Sequence, residues 1–174
     1  MVGYSEVLQT MAAMVLFSLI LLTSNKLIFL NSQHVVESEA EKRAITIAQS
    51  YIDRARALPF DANTASGTPS QVPEGFSACG PGTGESSPES FNDFDDYHTW
   101  SESVDWEPGS GDGAFQVNID VKYVNSPNYD MASGTTGTPY TEFKKMVVTI
   151  TSDYLKDGNG DYIEIKIPYL RRYY

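Results

Sequence analysis

A single cysteine, Cys79, stands in 174 residues, so no intrachain disulfide can form. From Ser5 to Leu58 there is neither glycine nor proline, and Pro59 closes the stretch. Val7 to Asn25 holds no charged residue, Ala57 to Val121 holds no lysine or arginine, and no Asn-x-Ser/Thr sequon occurs anywhere. Bases are scarce overall, 12 against 23 acids, for a net charge of −11. The imbalance is local. Residues 1–60 carry five acids and five bases, so the remaining 18 acids and 7 bases place the whole −11 on residues 61–174. Nucleic acid is therefore not an expected partner, because phosphate binding calls for Lys and Arg. An acidic head that repels copies of itself and anionic surfaces fits better.

What is present first is one long helical pattern. Residues 1–30 are apolar (VLQTMAAMVLFSLILLTSN, then LIFL), and residues 31–58 are amphipathic. A bilayer core takes about 20 mostly apolar residues in helix, and Val7–Asn25 meets that. As one helix, Ser5–Leu58 spans roughly 80 Å, far more than an ordinary globular helix. Val36, Ala40, Ala44, Ile47, Tyr51, Ala55 and Leu58 fall in steps of three and four, which predicts one face packed on a following domain. The N-terminus lacks the basic region and the cleavage site of a secretory signal. Lys26, on the C-terminal side of the span, points the following domain to the cytoplasm by the positive-inside rule. That conflict disappears if a basic leader preceded Met1 and was removed.

Residues 59–113 read as a long, acidic loop region rich in Pro, Gly and Ser. Within it FNDFDDYHTW (91–100) mixes four aromatics with Asp93, Asp95 and Asp96. The aromatics are expected to pin the loop and leave the acids at the surface. Residues 114–174 read as antiparallel sheet: AFQVNIDVKYV alternates strictly, TEFKKMVVTITSDYL is β-branched, KDGNGD is a turn, and DYIEIKIPYL alternates again. Pro168 places the last strand at an edge. The expected fold class is α+β: a long N-terminal helix on a three- or four-stranded antiparallel sheet.

Candidate sites are few. Asp157-Gly-Asn-Gly-Asp161 begins like a calcium loop, but the Gly and Glu that an EF-hand requires further on are Tyr162 and Pro168, so a plain turn is the better reading. Asp93, Asp95 and Asp96 are a candidate site for a hard cation such as Ca²⁺, set against a solvated acidic loop. His98, among acids, is expected to have a raised pKa. No nucleophile–base pair, Cys/His metal spacing or phosphate loop appears, so an enzyme is not expected. Tyr162, Tyr169, Tyr173 and Tyr174 fit aromatic packing better than electron transfer. Glu6 opens the apolar run. It reads either as a helix-start acid favoured by the dipole or as a charge awaiting a cation inside an assembly.

In this order of parts, the chain resembles the type IV pilin superfamily, which includes type II secretion pseudopilins. The resemblance rests on Glu6, the run Val7–Leu22, the stem AEKRAITIAQSYIDRARALPF, the segment FNDFDDYHTW and the sheet segments FKKMVVTIT and YIEIKI. It implies a type IV pilin-like fold and a homo-oligomer, a helical filament at the cell surface. The subunit is expected to wait in the inner membrane and to meet a leader peptidase and pilus or secretion assembly machinery. Glu6 would pair with a neighbour's amino terminus and set the axial register. Ala12 and Ala13 would allow close approach of helices, with Val15, Leu16, Leu19 and Leu22 in the filament core. The acid stands sixth counting Met1, whereas the family has it fifth, and loss of Met1 would restore that place. The family's helix-breaking Gly and Pro are missing, so a continuous helix is expected, weakest at Thr23–Ser24–Asn25. Two rival readings stand beside a major subunit: a minor pseudopilin, and a single-pass anchored ligand-binding domain that never polymerises.

Overall fold

The computed structural model describes residues 3–65, 67 and 71–174. The chain divides into two units, Met1–Glu39 and Ala40–Tyr174. One helix, α1 (Tyr4–Ala57), runs through both without a break, as the absence of Gly and Pro requires. Thr23 does not interrupt it: its Oγ1 donates back to the carbonyls of Leu19 and Ile20 at 3.0 and 2.9 Å. Thr10, Ser18 and Ser32 fold their hydroxyls onto the preceding turn in the same way. These four hydroxyls are thus satisfied within the helix, as a lipid environment favours. An 18-residue window in α1 has a mean hydropathy of 2.0, none of it buried within the chain, so the helix is long and apolar enough to cross a membrane.

In the second unit the C-terminal part of α1 packs on a four-stranded antiparallel sheet, an α+β arrangement. The strands are β1 (Ser101–Val104), β2 (Phe115–Tyr123), β3 (Phe143–Ser152) and β4 (Ile165–Arg172), in spatial order β1-β2-β3-β4. Register follows the alternation: Val117 faces Ile150, Ile119 faces Val148, and Val121 faces Met146. These side chains meet Ala40, Ala44, Ala48, Tyr51, Ile52 and Ala55 of the helix in one buried cluster. Four alanines with no exposed surface let the helix backbone lie close on the sheet. The stripe differs from the sequence reading at its ends. Ala48 and Ile52 join it, Ile47 and Leu58 are only partly buried, and Val36 is 41% exposed.

Pro168 sits opposite Val147 on the outer strand β4, where its missing N–H interrupts no second ladder. The turn after β3 is held by Asp157, whose Oδ1 accepts from Asn159 and Asp161 N–H at 2.8 and 2.9 Å. The 59–113 region departs from a plain loop in three places, a one-turn helix α2 (Ala62–Ala65) being the first. β1 lies within it and supplies the sheet's other edge, paired with Phe115–Asn118. Its sequence, SESV, is mostly exposed and lacks an apolar alternation that would announce a strand. A short 3₁₀ helix, η1 (Phe94–Tyr97), also packs against β2. Phe91, Phe94, Tyr97 and Trp100 recur every third residue, the repeat of a 3₁₀ turn, which stacks them on one side. Phe91 meets Tyr97 and Trp100 edge-on at 4.9 and 5.6 Å.

Candidate functional site

Two groups of residues stand out, one in each unit. In the first, Glu6 lies in the opening turn of α1, with its N–H donating to the Gly3 carbonyl at 2.9 Å. Its side chain is exposed, as are Ala12, Ala13, Val15, Leu16, Leu19 and Leu22. From Val7 to Leu30 the large apolar side chains are 39–72% exposed, such as Leu19 at 53% and Leu22 at 70%, with none buried among the described residues. So large an apolar surface demands lipid or other helices around it.

The second group joins residues far apart in the sequence, Asp61, Asp95 and Lys144. Pro59 ends the helix, and Arg171 of β4 then collects its last carbonyls, donating to Leu58 at 2.7 Å and to Ala55 and Pro59 at 3.3 Å. The Phe94 N–H also donates to Pro59, at 2.9 Å, which seats η1 beside the helix end. These contacts bring Phe60 and Asp61 over β3, where Lys144 points inward. Asp61 and Lys144 have no exposed surface, and Asp95 has 1%. The Lys144 Nζ donates to the Phe60 carbonyl at 3.0 Å, to Asp61 Oδ2 at 2.8 Å and to Asp95 Oδ1. All three ammonium protons are thereby placed. The ring centroids of Phe60 and Tyr123 each lie 4.7 Å from the nitrogen. Asp61 gathers further donors: Ser77 N–H on both oxygens, Asn63 N–H on Oδ1, and the Tyr123 hydroxyl on Oδ2 at 2.9 Å.

The two carboxylates are set differently. Burial works against charge on Asp61, but the Lys144 charge and the donors around it hold the carboxyl below its usual range. Asp95 has fewer donors, and burial pushes it up to about 8 against the pull of Lys144. Burial also opposes charge on Lys144, and the two aspartates more than offset this, raising its pKa. Three titratable groups are tolerated in a dry core because each has an opposite charge or hydrogen-bond donor beside it.

Asp93, Asp95 and Asp96 are buried, not solvated as expected. The reason is that the loop needs them internally. Asp93 caps η1, accepting from the Asp95 and Asp96 N–H groups, while Asp96 Oδ2 reaches back to Asn92 and Asp93 N–H. Asp95 turns to Lys144. One oxygen of each carboxyl offered as a candidate Ca²⁺ ligand is thus engaged by the chain itself. No group of three His, Cys, Asp or Glu side chains among the described residues is disposed to hold a metal ion. His98 also departs from expectation: burial lowers its pKa, outweighing Asp120 at 2.9 Å.

The signal for Lys144 was present but unread. Met146, Val148 and Ile150 fix the parity of β3, and the same parity carries Lys144, not Lys145, to the core face. No protein-family model, curated protein or solved structure matches the chain.

Proposed function

We propose that the chain is a structural subunit of an extracellular, type IV pilus-like filament that polymerises through the apolar half of α1. The observation that carries this reading is the division of labour within one unbroken helix. Its C-terminal part is buried on the sheet at Ala40, Ala44, Ala48 and Ala55, while its N-terminal apolar part has nothing buried among the described residues. An apolar helix in lipid gains little by meeting another apolar helix unless packing and a specific polar pair favour it. Ala12 and Ala13 offer close approach, and Glu6 offers the polar pair, its carboxylate meeting a neighbour's amino group as both leave the headgroup region.

On this reading the subunit is held in the inner membrane by its helix, processed by a leader peptidase and drawn by assembly machinery into a helical polymer. The acidic heads face outward, where salt screens their mutual repulsion. The test is fractionation and electron microscopy of sheared cell-surface material from wild type and a Glu6→Ala strain. Wild-type filaments containing this chain, and mutant chain retained in the membrane fraction, are the expected pair. Filaments unchanged in the mutant sink the register role of Glu6. A wild-type chain found only in the membrane fraction sinks the polymer and favours an anchored domain or a minor subunit.

A further inference from the structure

The Lys144 amine is held against the carboxyl groups of Asp95 and Asp61 in the buried core, with the Phe60 and Tyr123 rings each 4.7 Å away, and a purely ionic role leaves that chemistry unused. We propose that Lys144 and Asp95 condense into an intramolecular amide bond, with Asp61 as the proton acceptor that frees the amine. This inference does not rest on the filament reading.

Three observations support it. First, proximity: Nζ already touches Asp95 Oδ1, with Asp61 Oδ2 at 2.8 Å on the same nitrogen. Groups locked at contact in a fixed orientation react as though at effective concentrations of order 10⁵–10⁸ M. Second, protonation: an amine can displace hydroxide from a carboxylic acid far more readily than oxide from a carboxylate, and Asp95 is the acid of the pair. Burial raises Asp95 while the donors around Asp61 hold it down, so Asp95 is the carboxyl that takes a proton more readily and Asp61 is the carboxylate left beside the amine. Third, dryness: Phe60 and Tyr123 lie close to the nitrogen, and all three reacting residues are buried, so little water is present to reverse the step.

The step balances without a co-reactant. The Lys144 ammonium gives one proton to Asp61 Oδ2, and the neutral amine attacks Cγ of Asp95. The Nζ–Cγ bond forms, a second nitrogen proton passes to the departing hydroxyl, the Cγ–O bond breaks and one water leaves. Nothing is oxidised or reduced. The remaining amide N–H keeps a partner in the Phe60 carbonyl, 3.0 Å from Nζ, or in Asp61. The product replaces a buried ammonium and acid by a neutral amide, which removes the cost of holding charge in a dry core. It also ties η1 to β3 covalently, a cross-link in a chain whose one cysteine forbids a disulfide.

The test is the mass of the full chain, purified in detergent and unfolded in denaturant, together with peptide mapping. Cleavage after glutamate separates Asp61 from Asp95, because Glu74, Glu85 and Glu89 lie between them. The expected result is a chain one water lighter than its sequence, with a branched peptide joining Lys144 to Asp95. Lys144→Arg, which keeps the charge but not the nucleophile, is expected at its own full sequence mass. Asp61→Asn is expected to slow appearance of the branched peptide at least tenfold. A wild-type chain at full sequence mass after prolonged incubation overturns the proposal, as does a branch at Asp61. An Asp61→Asn chain that cross-links at the wild-type rate overturns the role given to Asp61.

Discussion

A lysine on the core face of a strand survives only if every donor finds a partner, and around Lys144 the partners extend outward to a second layer. Tyr123 donates to Asp61 Oδ2 at 2.9 Å and reaches the Ser77 carbonyl at 2.7 Å. Tyr123→Phe keeps the ring over Lys144 and removes only the hydroxyl, leaving buried acceptors short of a donor. The expected loss is about 1–3 kcal/mol of folding stability, read as a lower denaturation midpoint with unchanged slope. Asp96 gives a pH dependence of definite sign. Burial raises it from 3.8 to about 6, so the folded chain keeps a proton that the unfolded chain has released. Its contribution is complete below the lower value and is lost as pH rises to the upper one. Asp93 and Asp95, raised in the same way by burial, add to that decline, and Asp95 carries it on to higher pH, whereas Asp61 loses its contribution only as pH falls below the lower value. The denaturation midpoint is expected to drop across this window. Asp96→Asn, which carries no titrating proton, is expected to flatten the drop. A midpoint that rises there contradicts the burial of this carboxyl.

Among the elements, α1 was the most legible from sequence, because length, missing Gly and Pro, and apolar spacing all point the same way. The strands β2, β3 and β4 were legible for the same reason, through alternation and the Asp-Gly-Asn-Gly turn. β1 was not, since an edge strand reading Ser-Glu-Ser-Val owes its pairing to β2 and not to its own propensity. The burial of Asp93, Asp95 and Asp96 was hidden for a related reason. Acids among turn residues read as solvated, and only the tertiary seat of η1 beside Pro59 and Lys144 makes them internal. The small-residue face of α1 yields a direct expectation. Ala44→Leu forces added volume between helix and sheet and is expected to cost about 1–3 kcal/mol. Ile45→Leu, one residue round the helix and partly exposed, is expected to change stability by no more than about 0.5 kcal/mol. Equal effects at both positions, in thermal or urea unfolding, contradict the close helix–sheet approach.

At the scale of the whole molecule, charge and apolar surface are segregated along the chain. Residues 61–174 carry all of the −11, while the apolar half of α1 carries no charge from Val7 to Asn25. A chain so divided has one end that must leave water and another that must stay in it. A bilayer satisfies both, and so does a filament with helices inside and acidic heads outside. The proposed function is the exchange of one of these environments for the other. Electron cryomicroscopy of sheared surface filaments tests it most directly. The account expects a helical polymer of this chain with α1 residues from Glu6 to Leu30 packed at the axis, Glu6 within ion-pair distance of a neighbouring amino group, and residues 61–174 at the periphery. A filament whose axis lacks α1, or a chain recovered only as single subunits from the membrane, contradicts it.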